Sequence, residues 1–314
     1  MRPGACARTA ADPVSRSAEG EPSRGHRERE VVSAGSPSVW IDGSLVAADA
    51  ARVSPFDHGV LVGDGVFETI RVYGGEPFAF TRHLDRLAHS AAGLGLGVPD
   101  AGVLRTAAKT VLDANGHAEA RLRITVTGGV APLGSERGDT SPTVIVASSE
   151  VRPWPPSVCV VVVPWVRNDR GATAGLKTTS YAENVRALAF AHERGASEAI
   201  FANTRDELCE ATGSNVFVVR DGAVATPPGS SGCLLGVTRA LVLELAPALG
   251  LTIDERPLGL EALRDADEAF LTSTTREVQP IAEVDERALP AVPGPVTAAL
   301  AAAFTELVHR DLDP

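Results

Sequence analysis

Apolar and polar positions follow two rhythms along the chain, and the switches between them mark the elements. VWIDGSLVAAD, from Val39, reads as two short strands around Asp42-Gly43, a two-residue hairpin signal. VFETIRVYGGEPFAF reads as a second hairpin, turning at Gly74-Gly75. TRHLDRLAHSAAGLGL changes to helical spacing, with Leu84, Leu87, Ala88 and Ala91 on one stripe. AGVLRTAAKTVLDANG predicts another helix, ended by Asn115-Gly116. RLRITVTGG returns to alternation and predicts a strand. This mixture lacks the strict strand–helix–strand rhythm of a dinucleotide-binding domain.

The segment 128–141, GGVAPLGSERGDTS, is polar and Gly-rich and reads as an inter-domain connection. Beyond it, PTVIVAS and VCVVVVPWV are candidate buried strands. TTSYAENVRALAFAHERGA predicts a helix that stops near Gly195. EAIFAN, EATGSNVFVV and EAFLTS predict strands, the second followed by a turn at Asp221-Gly222. VTRALVLELAPALG predicts a helix ending at Gly250, and PVTAALAAAFTELVHR a terminal helix. The expected organisation is α+β in two domains. A disordered extension spans 1–37, where GEPSRGHRERE has the composition of solvated coil. A small N-terminal domain spans 38–128, a connecting loop 129–141 and a larger C-terminal domain 142–314.

Composition narrows the functional classes. Hydrophobic residues make up 44% and mean hydropathy is +0.05, so a sizeable core is available. Aromatics are only 4%, so Ala, Val and Leu must build most of it. The 40 acidic residues outnumber 29 basic ones, which argues against a nucleic-acid surface but permits a locally cationic pocket. Cys6, Cys159, Cys209 and Cys233 form neither a C-x-x-C pair nor a zinc spacing, so no metal site is expected. No apolar run reaches transmembrane length, and a cytoplasmic location is expected.

Some residues could carry chemistry. Lys177 stands before a helix and after the Gly-containing GATAGL, a place where most lysines are solvated surface charges. Glu210 lies in a strand-like segment before a Thr-Gly-Ser-Asn turn; it is either a solvated edge charge or a carboxylate beside a ring nitrogen. Gly236-Val237-Thr238-Arg239 opens a helix whose free N–H groups suit a phosphate, although Thr there is also an ordinary cap. Thr272-Ser273-Thr274-Thr275 gathers hydroxyls at one strand end, and Arg86 in HLDRL is either a phosphate cation or an exposed helix arginine.

The order of six motifs resembles the fold-type IV pyridoxal-phosphate (PLP) enzymes, the class IV aminotransferase family. They are FDHGVLVGDGVFETIRVYGG, HLDRL, LKTTSYAENVRA, CEATGSNVFVVRDG, LLGVTR and FLTSTTREVQPI, and they span roughly residues 38–310. The resemblance implies PLP as cofactor and a C-terminal domain with a β-barrel-like sheet. It implies that Lys177 is the catalytic Schiff-base lysine and proton carrier and that Glu210 faces the pyridine nitrogen. It further implies that Arg86, Val237, Thr238 and Thr274 hold the phosphate and that Tyr181 faces the ring oxygen. A homodimer acting on a small amino-acid-like substrate is implied as well, with no membrane or nucleic-acid partner.

Within the family the substrate side is decisive. D-Amino acid aminotransferases carry an arginine where Gly128 stands, so its absence counts against that subfamily. In the family's 4-amino-4-deoxychorismate lyases, a basic strand residue and an Arg-Gly after the Gly-rich loop bind substrate carboxylates. Arg123 and Arg137-Gly138 are similar to that pair, and Phe67 is a further candidate on the substrate side. KTTSYAENVRA also looks more like the lyases than like the KAGGNY-type run of many branched-chain enzymes. Val62 departs from the aromatic residue usual before the glycine. The expected reaction is therefore release of pyruvate to give 4-aminobenzoate. The alternatives are a transaminase of branched-chain or D-amino acids using 2-oxoglutarate, or a PLP-binding protein without catalysis.

Overall fold

The computed structural model describes residues 36–314. The extension expected at 1–37 lies, up to residue 35, outside the described residues. The first sheet opens with the hairpin β1 (Ser38–Ile41) and β2 (Ser44–Ala47), turning at Asp42-Gly43. A short helix, α1 (His58–Leu61), leads into β3 (Gly65–Tyr73), which turns at Gly74-Gly75 into β4 (Glu76–Pro77). Helices α2 (Phe80–Leu94) and α3 (Ala101–Asn115) follow, then β5 (Ala120–Thr127) and β6 (Val144–Glu150). The six strands run β2-β1-β6-β5-β3-β4, antiparallel at every join. One sheet face buries Ile70, Val72, Leu122 and Ile124 against Leu84, Leu87, Leu104 and Val111 of the two long helices. Each such side chain contributes roughly 1.5–3 kcal/mol of burial.

The expected change of domain at 129–141 comes too early. PTVIVAS, assigned above to the second domain, forms β6, which pairs with both β1 and β5 in the first sheet. The alternation of Val144 and Val146 inward fits a half-covered antiparallel strand as well as a buried one. The chain changes sheets at 151–157, through Pro153, Pro155 and Pro156, whose missing N–H groups suit a connection outside any ladder.

The second sheet contains β7 (Val158–Arg167), β8 (Glu198–Asn203), β9 (Leu208–Ala211), β10 (Asn215–Arg220), β11 (Ala223–Thr226), β12 (Ile253–Glu255), β13 (Glu268–Ser273), β14 (Glu277–Val284) and β15 (Arg287–Ala288). Its order is β12-β11-β10-β13-β14-β7-β8-β9, with β15 beside β14. The turn after β9 brings β10 back alongside it, and Ala211 N–H donates to Ser214 O at 2.8 Å. The edge strand thus returns toward the middle of its own sheet, which curls into a half-barrel. Helix α4 (Ala182–His192) makes the crossover between parallel β7 and β8. The remaining helices are α5 (Val237–Leu245), α6 (Leu260–Arg264) and α7 (Pro295–Arg310). α5 stops short of Gly250 because Pro247 cannot continue it; a 3-10 turn over Ala246–Leu249 follows, and Gly250 closes it at φ 71°. Several aromatics pack together here: Phe217 stacks on Phe270 at 4.8 Å, in a cluster with Leu241, Leu300 and Phe304.

The two sheets are stitched together at residues 177–179. Phe67 N–H donates to Lys177 O at 3.1 Å, and Thr179 N–H donates to Gly65 O at 2.8 Å. This extended segment lies along β3 while its neighbours belong to the second sheet, so Lys177 falls in the seam. Among the described residues, no helix is long and apolar enough to cross a membrane, and no cluster of three or more His, Cys, Asp or Glu could hold a metal ion. Cys209 and Cys233 are free, buried thiols.

Candidate active site

A cavity of about 210 Å³ opens at that seam. Arg86, Lys177, Tyr181, Glu210, Val237, Thr238 and Thr274 all line it, so five segments distant in sequence converge. Phe67, Arg123 and Arg137 are not among its lining residues, although Phe67 and Arg123 stand beside Lys177.

Lys177 is held by its backbone: its N–H donates to Ser90 Oγ at 3.1 Å and its carbonyl accepts from Phe67. The Nζ lies 4.4 Å from the centroid of the Phe67 ring. Burial lowers its pKa to about 8, helped by the Arg86 cation and opposed by Glu68 and Glu210. The chain contains two lysines, and the other, Lys109, has a side chain 74% exposed and paired with Asp113 on α3.

Glu210 projects from β9 into the same cavity. Its Oε2 accepts from Leu234 N–H at 3.0 Å, and its Oε1 lies 3.3 Å from Arg167 Nε. Burial pushes its pKa up, against the pull of Arg167 and the Leu234 N–H. A cation arriving beside this carboxylate would favour its ionised form. Arg167 is a site residue that the reading of the chain missed. It ends the apolar run VCVVVVPWV, reaches Glu183 and Asn184 on α4, and lies 4.2 Å over the Phe201 ring. A charged residue closing so apolar a strand was the available signal.

Another part of the cavity wall suits an anion. Gly236 precedes α5 in extended conformation and leaves the Val237 and Thr238 N–H groups at a helix start. A Cβ on Gly236 would sit 2.2 Å from Asn215 Oδ1, so only glycine brings the helix this close to β10. Thr274 follows β13 on the same side, and Arg86 Nη1 reaches Leu235 O at 3.3 Å just before the glycine. Ser214 Oγ and Thr272 Oγ1 are buried hydroxyls of the lining, with no hydrogen-bond partner. Two orphaned hydroxyls beside a helix start are what a phosphate would satisfy.

Phe67 is buried and holds three groups around it. Arg123 lies 3.8 Å over its ring, Lys177 4.4 Å, and Tyr181 meets it edge-on at 5.2 Å. Burial raises the Tyr181 pKa to about 12 and lowers that of Arg123. Arg123 spends its Nε on Thr125 Oγ1 at 3.1 Å. Arg137 is placed otherwise. Its Nε and Nη2 each donate to Asp64 at 2.6 Å, and Nη1 reaches Gly95 O at 3.2 Å. Its charge is matched within the protein rather than left for a ligand. Asp64 also bears on Gly128, where an added Cβ would meet its Oδ2 at 2.4 Å.

Comparison with known proteins agrees with this geometry. The family described as Amino-transferase class IV matches residues 65–284. A D-alanine aminotransferase of Listeria monocytogenes is 31% identical, over 87% of this chain and 96% of its own. The structure of a branched-chain aminotransferase of the thermophilic archaeon Thermoproteus uzoniensis, with norvaline, superposes with a TM-score of 0.82 at 32% identity, covering 87% of this chain and 95% of that one. A Legionella pneumophila structure named "Putative 4-amino-4-deoxychorismate lyase" superposes at 0.78 with 24% identity, covering 82% and 96%, a likeness of fold.

Proposed function

The chain belongs to the class IV aminotransferase family, whose enzymes work with PLP, and from that premise we propose that it transfers the amino group of an amino acid to a 2-oxo acid. The cavity fits the cofactor: it gathers a lysine of lowered pKa, a buried carboxylate, unpaired hydroxyls and a helix start. Lys177 would hold it covalently and Glu210 would stand at its ring nitrogen. Arg86, Val237, Thr238 and Thr274 would hold its phosphate, and Tyr181 would stand near its ring oxygen. When bound, the cofactor supplies an electron sink for the carbanion at the substrate Cα.

The residues of this chain do the rest. Lys177 Nζ, as a free amine beside the substrate, would take the proton from its Cα. Its lowered pKa makes the neutral, basic form accessible near neutrality. Glu210 would stand at the ring nitrogen, where a neighbouring cation favours its ionised form, as Arg167 already does against the opposing effect of burial. Phe67 excludes water beneath Nζ, and Arg123 offers its unspent Nη groups to a substrate carboxylate.

One observation carries the choice of transamination over elimination. A lyase acting on a substrate with two separate carboxylates needs two cations, and Arg137 is already spent on Asp64. The lyase reading keeps the support of Arg123 and of the KTTSYAENVRA segment. Purified protein is to be given Leu, Ile, Val and D-Ala with 2-oxoglutarate and, separately, 4-amino-4-deoxychorismate. Glutamate formed from one of the amino acids supports the proposal. 4-Aminobenzoate and pyruvate without glutamate would overturn it in favour of the lyase.

A further inference from the structure

Glu68 is a carboxylate at 0% exposure in the middle of β3, between the core residues Val66 and Ile70 and opposite Ile124 of β5. A charge there is tolerated only if it is fully paired. Its partners all come from one helix. Arg86 Nε donates to Oε1 at 2.7 Å, Arg86 Nη2 to Oε2 at 2.8 Å, and His83 Nδ1 to Oε2 at 2.7 Å. His83 and Arg86 are one turn apart on α2, so a single carboxylate fixes both. Burial acts to raise the pKa of Glu68, but Arg86 and His83 outweigh it and hold the carboxylate well below its usual range.

This arrangement leaves one edge of Arg86. Nη1 reaches only Leu235 O, the carbonyl before Gly236-Val237-Thr238, and Arg86 lines the cavity whereas Glu68 does not. We propose that Glu68 is a positioning residue for cofactor-phosphate recognition: it grips the Nε–Nη2 edge of the Arg86 guanidinium from behind and presents Nη1 to the helix start that lines the cavity. The inference rests on the cofactor reading above. An arginine otherwise loses considerable side-chain freedom when it closes on a phosphate. Here that ordering is complete before the phosphate arrives, which is how preorganisation raises affinity. His83, whose pKa is pushed down by burial, contributes a further hydrogen bond to the same carboxylate.

A core salt bridge that merely supported the fold would affect every ligand of the cavity alike. The comparison is therefore between PLP and pyridoxal, which lacks the phosphate, each titrated into apo protein by absorbance. Glu68→Gln is expected to weaken PLP by about 10- to 100-fold, the scale of one charge-assisted hydrogen bond, and to leave pyridoxal affinity within about threefold. In an Arg86→Ala background the same substitution is expected to change the PLP-to-pyridoxal ratio no further. If Glu68→Gln does not fold, Arg86→Lys, which keeps the charge but not the fork, is expected to give the same selective loss. Equal weakening of both ligands, or an unchanged ratio, overturns the role given to Glu68. A wild-type protein that binds PLP no better than pyridoxal instead overturns the cofactor assignment on which it rests.

Discussion

Arg123 and Lys177 share one aromatic ring: the guanidinium lies 3.8 Å and the ammonium nitrogen 4.4 Å from the centroid of Phe67. Two cationic side chains are thus gathered on one buried ring, each raising the electrostatic cost of protonating the other. Arg123 is among the groups that lower the Lys177 pKa, after burial and Arg86. Arg123→Gln is therefore predicted to act twice. It should raise KM for the amino-acid substrate about 10- to 100-fold through loss of a carboxylate partner. It should also move the alkaline rise in activity to higher pH. Steady-state kinetics across about pH 6–10 check both, a range that brackets the ordinary and lowered lysine values; an unchanged KM would remove Arg123 from the substrate site.

The lowered pKa of Lys177 has a consequence for stability. Below about pH 8 the lysine is protonated in both folded and unfolded chains, and the folded state bears the full cost of the buried charge. Between about 8 and 10.5 the folded protein sheds its proton first, so this cost is relieved as pH rises. Lys177→Met in the apo protein should be more stable than wild type by about 1–2 kcal/mol at about pH 7, a figure reduced for the partial exposure of the site. The difference should vanish near pH 10.5, the ordinary lysine value. Urea unfolding at the two pH values measures it.

Arg137 gives a separable prediction. Its pair with Asp64 pins the 128–141 loop to the turn before β3. Arg137→Ala is predicted to make that loop more sensitive to proteolysis and to change KM by less than about threefold. A tenfold or larger rise in KM for the amino acid would return Arg137 to the substrate site.

Gly236→Ala tests the phosphate end. The new Cβ would clash with Asn215 Oδ1, so either α5 moves away from β10 or Asn215 gives up its hydrogen bond to Leu234 O, and both disturb the helix start. PLP affinity is predicted to fall at least about 10-fold, with a smaller change for pyridoxal, as read by absorbance titration.

Most of the residues that line the cavity were legible because they sit at signals a chain displays locally. Lys177 precedes a helix, Val237 and Thr238 start one, Thr274 ends a strand, and the order of the motifs connects them. What was not legible depends on partners far away in the sequence. Arg137 looks like a free loop cation until Asp64, 73 residues earlier, is seen to take two of its donors. β6 looks like the first strand of a new domain until its registers with β1 and β5 are known. Glu68 stood inside a quoted motif, but alternation alone gives a polar strand residue to solvent, and only His83 and Arg86 explain why it points into the core.

With two lysines in the chain, covalent trapping tests the central assignment most directly. The PLP-loaded protein is reduced with borohydride, digested and analysed by mass spectrometry. The account predicts a phosphopyridoxyl group on Lys177 in the peptide containing GLKTTSYAENVR, with Lys109 unmodified. A label on Lys109, or no label on either lysine, would contradict it.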